Sequence, residues 1–146
     1  MKIALASDHG GFELKEAIKK HLTEDRNLEV LDLGTNSTES VDYPSYGHAC
    51  GKAVVSGQAD LGIVCCGTGI GISISANKVP GVRCALVCSD FAAEMTKRHN
   101  NANIIAFGGR TTSNEDAIRW TDLWLDAEYE GGRHARRVAM IEEIDQ

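Results

Sequence analysis

The sequence has no excess of positive charge. Among its 146 residues, 15 are Lys or Arg and 21 are Asp or Glu, which gives a net charge of -6 at pH 7 and a pI near 5.3. This balance excludes a broad basic surface for nucleic acid, and only the short segment RHARR at residues 133–137 is strongly basic. Any site for an anion must therefore be local.

Long apolar runs and a pairable set of cysteines are also missing. No stretch approaches the length of a membrane span, and the first apolar run ends before Asp8, too early for the hydrophobic region of a signal peptide. We therefore expect a soluble, cytoplasmic protein with neither membrane nor nucleic acid as a partner. The cysteines are odd in number and include an adjacent pair, which favours free thiols in a reducing compartment: Cys50, Cys65, Cys66, Cys84 and Cys88.

Proline is scarce, and no linker or repeat interrupts the chain, so residues 1–146 are predicted to form a single domain. Helical patterns alternate with short apolar runs, which predicts an α/β fold, doubly wound and Rossmann-like, with a mainly parallel five-stranded sheet and helices on both faces. The segment ISISANK at residues 72–78 alternates like a strand, but its place in the order favours a crossover helix. The strands, predicted to be buried on both faces, are residues 2–7, 28–33, 61–66, 83–88 and 103–108.

The stretch VCCGTGIGIS, residues 64–73, places glycine at every second position of a loop after the third strand. It is not a P-loop, because Ile72 and Ser73 follow Gly71 where Lys and Ser or Thr are needed. A dinucleotide fingerprint needs Gly or Ala at position 72, and a cysteine phosphatase needs Arg six positions after its nucleophile. Two interpretations remain: a bare tight turn, or an anion hole formed by backbone N–H groups at a helix N-terminus.

The adjacent cysteines favour the anion hole. Because side chains alternate along a strand, Cys66 is predicted to face the loop and Cys65 the core. A helix N-terminus can lower a thiol pKa enough to make Cys66 a base or a nucleophile. For Cys50, Cys84 and Cys88 we predict burial in the apolar core.

Two other segments contain candidate site residues. His99 and Asn100 lie where a helix is expected to end, although a histidine there can serve only as a favourable dipole contact, and Arg110 follows the fifth strand. Arg133 and Arg137 lie four residues apart on one helix face, in a first turn where the helix dipole disfavours cations. A bound phosphate would compensate for that placement, and a solvated basic face is the alternative.

Five segments together make the sequence similar to the sugar-phosphate isomerase family that includes ribose-5-phosphate isomerase B and galactose-6-phosphate isomerase. They are SDHGG, DYPSYG, CGTGIGISISANK, RHNNANIIAFGGR and YEGGRHARR. The resemblance runs nearly end to end. It implies an aldose–ketose isomerase that needs no metal or organic cofactor and acts on ribose 5-phosphate and ribulose 5-phosphate by proton transfer through an enediolate.

The resemblance also implies roles for individual residues. Cys66 would be the catalytic base, and His99, with Thr68, would open the sugar ring. Arg133 and Arg137 would bind the phosphate, with Arg110 nearby. The segment from Gly67 through Gly69 and Ile70 to Gly71 would form the enediolate hole, and the sugar hydroxyls would be held by Asp8, His9, Tyr43 and Asn100.

Assembly and substrate choice are further expectations from the resemblance. It implies a homodimer or a tetramer whose sites are shared between chains, with His99, Asn100 and Arg110 contributed across the interface. The alternatives are an isomerase of a six-carbon sugar phosphate, allose 6-phosphate or galactose 6-phosphate, and a non-catalytic phosphosugar-binding subunit. A nucleotide-binding module is a third possibility.

Overall fold

A computed structural model describes residues 1–145 of the chain. Five strands alternate with six α-helices, as the sequence predicts. A short 3₁₀ turn, His9–Gly11, precedes the first helix, and a π-helical turn, His21–Asp25, extends it. The elements are β1 (Lys2–Ser7), α1 (Phe12–Lys20), β2 (Glu29–Asp32), α2 (Tyr43–Val55), β3 (Leu61–Cys66), α3 (Ile70–Asn77), β4 (Cys84–Leu86), α4 (Asp90–Arg98), β5 (Ile104–Gly108), α5 (Asn114–Asp126) and α6 (Arg133–Ile144).

The strands form one parallel sheet in the order β2-β1-β3-β5-β4. This confirms the predicted fold class, a single doubly wound α/β domain. The register pairs Cys66, the last residue of β3, with Gly108, the last residue of β5. The loops that follow β1, β3 and β5 therefore meet at one edge of the sheet, where ligands bind in folds of this kind.

Side chains of alternating strand residues build two separate cores, one on each face of the sheet. On one face, Leu5 and Phe107 pack with residues of α1, α4 and α5, among them Trp124. On the other, Ala6 and Val64 pack with residues of α2 and α3. Neither core includes a residue of α6, a helix that the structure describes in full.

The prediction that all strands are buried on both faces is wrong for the two edge strands. β2 and β4 are shorter than predicted and only partly buried, because each pairs with a single neighbour. The predicted burial of three cysteines holds only for Cys50, since Cys84 is half-buried and Cys88 is exposed beyond the end of β4. The three inner strands are buried as expected.

The segment ISISANK lies mostly in α3, so its position in the fold outweighs its alternating pattern. The Ser73 hydroxyl donates to the Ile70 carbonyl oxygen at 2.7 Å, and the Ser75 hydroxyl donates to that of Gly71 at 2.8 Å. These bonds turn two polar side chains back onto the helix itself. Of the isoleucines beside them, Ile72 is buried in the core and Ile74 is exposed.

No helix in residues 1–145 combines the length and the apolar character that crossing a bilayer requires.

Candidate active site

A cleft of about 460 Å³ opens at the carboxyl edge of the sheet, where the loops after β1, β3 and β5 converge. Polar and glycine residues from all three loops meet here, together with the first residue of α2. The structure thus brings together most of the predicted site. The cleft is lined by Asp8, Tyr43, Cys66, Gly67, Thr68, Ile70, Gly71, Ile74 and Arg110.

Cys66 is fixed between the strand and the helix that follows. Its Sγ accepts a hydrogen bond from the backbone N–H of Gly69 at 3.2 Å, and only 4% of the residue is exposed. Gly69 is the N-cap of α3 and has φ +79°, in the left-handed region. A Cβ there would also lie 2.7 Å from the backbone carbon of Phe107, so glycine is required for the turn that presents this N–H.

The two adjacent cysteines lie on opposite faces of the sheet, as predicted. Cys65 belongs to the core formed with α1, α4 and α5, and burial raises the pKa of its thiol. Cys50 is also enclosed, and burial raises the pKa of its thiol to about 12. Of these three thiols, only that of Cys66 lines the cleft.

The loop after β1 supplies an ordered carboxylate. Asp8 is 6% exposed, and its Oδ1 accepts from the N–H groups of Gly10 at 2.9 Å and Gly11 at 3.2 Å. The neighbouring His9 has its Nδ1 3.1 Å from the N–H of Val41, so Nδ1 is an acceptor and Nε2 carries the ring proton. Both side chains are thereby oriented before any ligand binds.

Tyr43 and Arg110 close the cleft on two sides. A Cβ at Gly71 would lie 2.5 Å from the Tyr43 ring, so the ring rests directly on the glycine backbone. The guanidinium of Arg110 packs against Gly67, and its backbone N–H donates to the Gly67 carbonyl oxygen at 2.9 Å. Arg110 therefore lies beside Cys66 of its own chain, and the expectation that a partner contributes it is wrong.

His99 and Asn100 lie elsewhere. They follow α4, which runs back to the amino edge of the sheet, and there the N–H of Gly62 donates to the Asn103 carbonyl oxygen at 2.9 Å. Gly62 and Cys66 are four residues apart on β3, about 13 Å along the strand. Within one chain, His99 and Cys66 are therefore at opposite edges of the sheet.

Arg133 and Arg137 lie on the same side as His99, at the start of α6. The rings of His99 and His134 stack, with centroids 4.2 Å apart and planes within 12°. Both arginines are exposed, whereas His134 is only 7% exposed. Burial, followed by the nearby charges of His99 and Arg133, lowers the pKa of His134. This group, which we call the His99 corner, consists of Arg98, His99, Asn100, Glu130, Arg133, His134 and Arg137.

Sequence reasoning missed two residues that the geometry emphasises. Ile74 lines the cleft from the second turn of α3, four residues after Ile70, and this helical spacing could have identified it. Glu130 bonds to Arg98 and faces both histidines of the corner. No sequence spacing signals that contact, since Arg98 and Glu130 are 32 residues apart.

Comparison with known proteins assigns the chain to a family. The family model described as Ribose/Galactose Isomerase matches residues 3–141. The chain belongs to this ribose/galactose isomerase family. Its membership confirms the resemblance found in the sequence and the class of enzyme, an isomerase.

Individual members of the ribose/galactose isomerase family match along nearly their whole length. Ribose-5-phosphate isomerase B of Escherichia coli K12 is 50% identical over 146 residues, covering 99% of this chain and 97% of that protein. The structure of ribose-5-phosphate isomerase B from Clostridium thermocellum is 52% identical with a TM-score of 0.97, and covers 99% of this chain and 97% of that one. The enzyme from Mycoplasma genitalium, determined with bound ribulose 5-phosphate, is 39% identical with a TM-score of 0.92, and covers 99% and 95%.

Proposed function

We propose that this chain is a ribose-5-phosphate isomerase that interconverts ribose 5-phosphate and ribulose 5-phosphate. The observation that carries the proposal is the position of Cys66, whose Sγ sits at the N-terminus of α3 and accepts the Gly69 N–H inside the cleft. Family members named as ribose-5-phosphate isomerase B, one of them with bound ribulose 5-phosphate, support this substrate over a six-carbon sugar.

The cleft suits proton transfer next to a carbonyl. The Cys66 thiolate takes the proton from C2 of the open-chain aldose, which leaves a negative charge on the C1 oxygen. The segment from Gly67 to Gly71 lines the same cleft, and its backbone N–H groups would stabilise that charge, as preorganised donors do by several kcal/mol. The proton of the C2 hydroxyl passes to the C1 oxygen, and the thiol returns the first proton to C1, which produces the ketose.

Substrate positioning falls to the walls of the cleft. Asp8 and Tyr43 line it beside Cys66 and are placed to hold sugar hydroxyls, together with the neighbouring His9. Thr68 is exposed at the mouth, and its Oγ1 accepts from the Ile70 N–H at 3.3 Å. The steps assigned to these residues require neither a metal nor an organic cofactor.

Ring opening by His99 and phosphate binding by Arg133 and Arg137 require a second copy of the chain. These residues lie at the other edge of the sheet from Cys66, so we propose a homo-oligomer in which the His99 corner of one copy completes the cleft of another. The exposed apolar residues fit such contacts: Ile70, Ile74, Leu86, Phe91, Met140, Ile141 and Ile144.

A coupled assay tests the activity. Purified protein should turn over ribose 5-phosphate with a kcat/KM well above that for allose 6-phosphate or galactose 6-phosphate. Preference for a six-carbon sugar would redirect the proposal within the family. Calorimetric binding of ribose 5-phosphate without turnover would instead identify a silent subunit, and stabilisation by NAD or ATP alone would identify a nucleotide-binding module.

Mixing two inactive variants tests the shared site. Cys66→Ala and His99→Ala proteins should each be nearly inactive. If sites are shared in dimers, unfolding and refolding them together gives heterodimers with one intact site of two, and about a quarter of the wild-type activity returns. No recovery, with both variants folded and dimeric, would show that each chain builds its own site.

A further inference from the structure

The His99 corner contains a carboxylate that the proposed reaction does not yet use. Glu130 lies in the connection between α5 and α6, with Oε2 3.9 Å from Nε2 of His99 and Oε1 3.6 Å from Nε2 of His134. Each oxygen of one carboxylate thus faces a different imidazole. Among residues 1–145, His134 Nε2 is one of three buried side-chain polar atoms without a hydrogen-bond partner.

Glu130 is itself fixed from the far side. Its Oε2 accepts from the Arg98 Nε at 2.7 Å, and its backbone N–H donates to the Arg98 carbonyl oxygen at 3.0 Å. The bond from Arg98 lowers the pKa of Glu130, so the carboxylate is charged at neutral pH. The negative charge is therefore held in place at the end of α4, directly beside His99.

A divalent metal ion does not fit this cluster as it stands. The ligand atoms of His99, Glu130 and His134 lie within 4.8 Å of one another, but the two imidazole planes are nearly parallel at 4.2 Å separation. An ion bound to both rings would have to lie in both planes at once, which parallel planes do not allow. The neighbouring guanidinium groups of Arg98 and Arg133 also repel a cation.

We propose that Glu130 and His134 are positioning residues that hold the imidazole of His99 as the proton donor for ring opening. His134 supports the ring face of His99 by stacking, and the Glu130 carboxylate, 3.9 Å from Nε2 of His99, stabilises the charged imidazolium, whose other nitrogen presents its proton to the sugar. This inference rests on the proposed function, because it assigns how that same site opens its cyclic substrate.

Ring opening breaks the bond between C1 and the ring oxygen, and the C1 hydroxyl becomes the aldehyde. His99 gives its proton to the ring oxygen, water takes the proton of the C1 hydroxyl, and solvent then reprotonates His99. The Glu130 carboxylate faces His99, His134 and Arg98 and keeps its charge throughout.

The experiment separates ring opening from proton transfer at carbon. Ribulose 5-phosphate is open-chain, since its C5 hydroxyl carries the phosphate. Incorporation of solvent deuterium at its C1 therefore needs Cys66 but not ring opening. We would measure this exchange and the turnover of ribose 5-phosphate for wild type, Glu130→Gln and the control Glu128→Gln, an exposed neighbour two residues away.

Glu130→Gln should lower the kcat for ribose 5-phosphate about 10- to 100-fold, with KM and the deuterium exchange within about twofold of wild type. Glu128→Gln should match wild type in both. An equal loss of turnover and exchange, or no loss of either, would overturn the inference. A wild-type protein that neither turns over ribose 5-phosphate nor exchanges deuterium would instead refute the proposed function.

A second pair of variants tests the stacking. His134→Phe keeps an aromatic face under His99 and should retain ring-dependent turnover within about threefold, whereas His134→Ala should lose about tenfold while exchange persists. Equal effects of the two substitutions on turnover would show that the ring face of His134 does not position His99.

Discussion

The two parts of the proposed site are built in different ways. The Cys66 cleft lies where three inner strands end, and backbone hydrogen bonds such as that from Gly69 fix its groups. The His99 corner lies at the end of α4 and the start of α6, outside both cores, and side-chain ion pairs hold it. The cleft is specified by the fold, whereas the corner depends on contacts between side chains that are distant in sequence.

This difference separates the chemistry from the recognition of the substrate. Proton transfer at carbon needs exact placement of one sulfur and its N–H donors, and a buried strand end provides that. In the proposed site, phosphate binding needs cations that a substrate can reach, and Arg133 and Arg137 of α6 are exposed. Substitutions in the cleft should therefore change kcat, and substitutions that displace Arg133 and Arg137 of α6 should mainly change KM.

The largest effect should come from the two adjacent cysteines. Cys66→Ala removes the proposed base and should lower kcat about 10³-fold. Cys65→Ala, on the core face, should keep activity and lose about 1–2 kcal/mol of stability. Steady-state kinetics and denaturant unfolding measure both, and a Cys66→Ala enzyme at the wild-type rate would contradict the role of the thiol.

Alkylation sharpens the same comparison. Iodoacetamide should abolish activity by modifying Cys66 in the cleft, and ribose 5-phosphate should protect it. Cys65 should resist, because burial raises the pKa of its thiol. Mass spectrometry that finds Cys65 modified first would argue against the arrangement of the two faces.

A smaller effect is expected where Tyr43 rests on the glycine loop. Gly71→Ala would place a Cβ 2.5 Å from the Tyr43 ring, so the ring must move and the cleft changes shape. We expect kcat/KM to fall about tenfold or more. Combining Gly71→Ala with Tyr43→Ala should cost less than the sum of the single changes, since the clash is gone. Additive losses would show that the contact does not matter.

The helix α6, which carries Arg133 and Arg137, can be loosened without touching those two residues. Arg83 donates to the carbonyl oxygen of Asn101 at 3.1 and 2.9 Å and pairs with Glu142 of α6. Arg83→Gln should raise the KM for ribose 5-phosphate about threefold with little change in kcat, and lower stability by about 1–2 kcal/mol. Arg119→Gln removes an exposed pair with Asp90 and should change neither. A kcat effect of Arg83→Gln without a KM effect would contradict this division.

The cleft was more predictable from the sequence than the corner, for a physical reason. A loop that follows a buried parallel strand must lie at the carboxyl edge, so Cys66, Thr68 and the glycines could be assigned to one site from their positions alone. The resemblance implies that Arg110 is contributed across an interface, because it does not say which loops of one chain meet. The β5 register, which pairs Gly108 with Cys66, decides that.

The corner and the strand edges depend on information that local patterns lack. The stacking of His99 on His134 and the bond from Arg98 to Glu130 join residues more than 30 positions apart. Similarly, the apolar sequence around Cys88 predicts burial, but β4 is an edge strand that ends at Leu86, so that thiol is exposed. Strand order, which sequence alone does not give, makes β4 an edge strand.

The smallest effect is expected at His21, which belongs to neither part of the site, and its substitution tests whether the site depends on the rest of the surface. His21 lies 2.9 Å from Asp122 and 2.9 Å from Asp25, and joins the turn after α1 to α5. Burial opposes its protonation, but the hydrogen bonds to Asp122 and Asp25 outweigh burial, so its pKa is raised. The His21 ring therefore binds its proton more tightly in the folded state than in the unfolded chain.

The stabilisation from His21 is therefore complete below its unfolded pKa, about 6.5, and disappears as the pH rises past the higher folded value. His21→Gln should reduce the free energy of unfolding by about 0.5–1 kcal/mol more at pH 5.5 than at pH 8. The exposed His48, changed to Gln, should show no such difference. Isomerase activity of the His21 variant should match wild type at both pH values. The sheet edge that carries Cys66 does not depend on the contacts of His21 with Asp25 and Asp122. A loss of kcat would show that the surface network reaches the cleft.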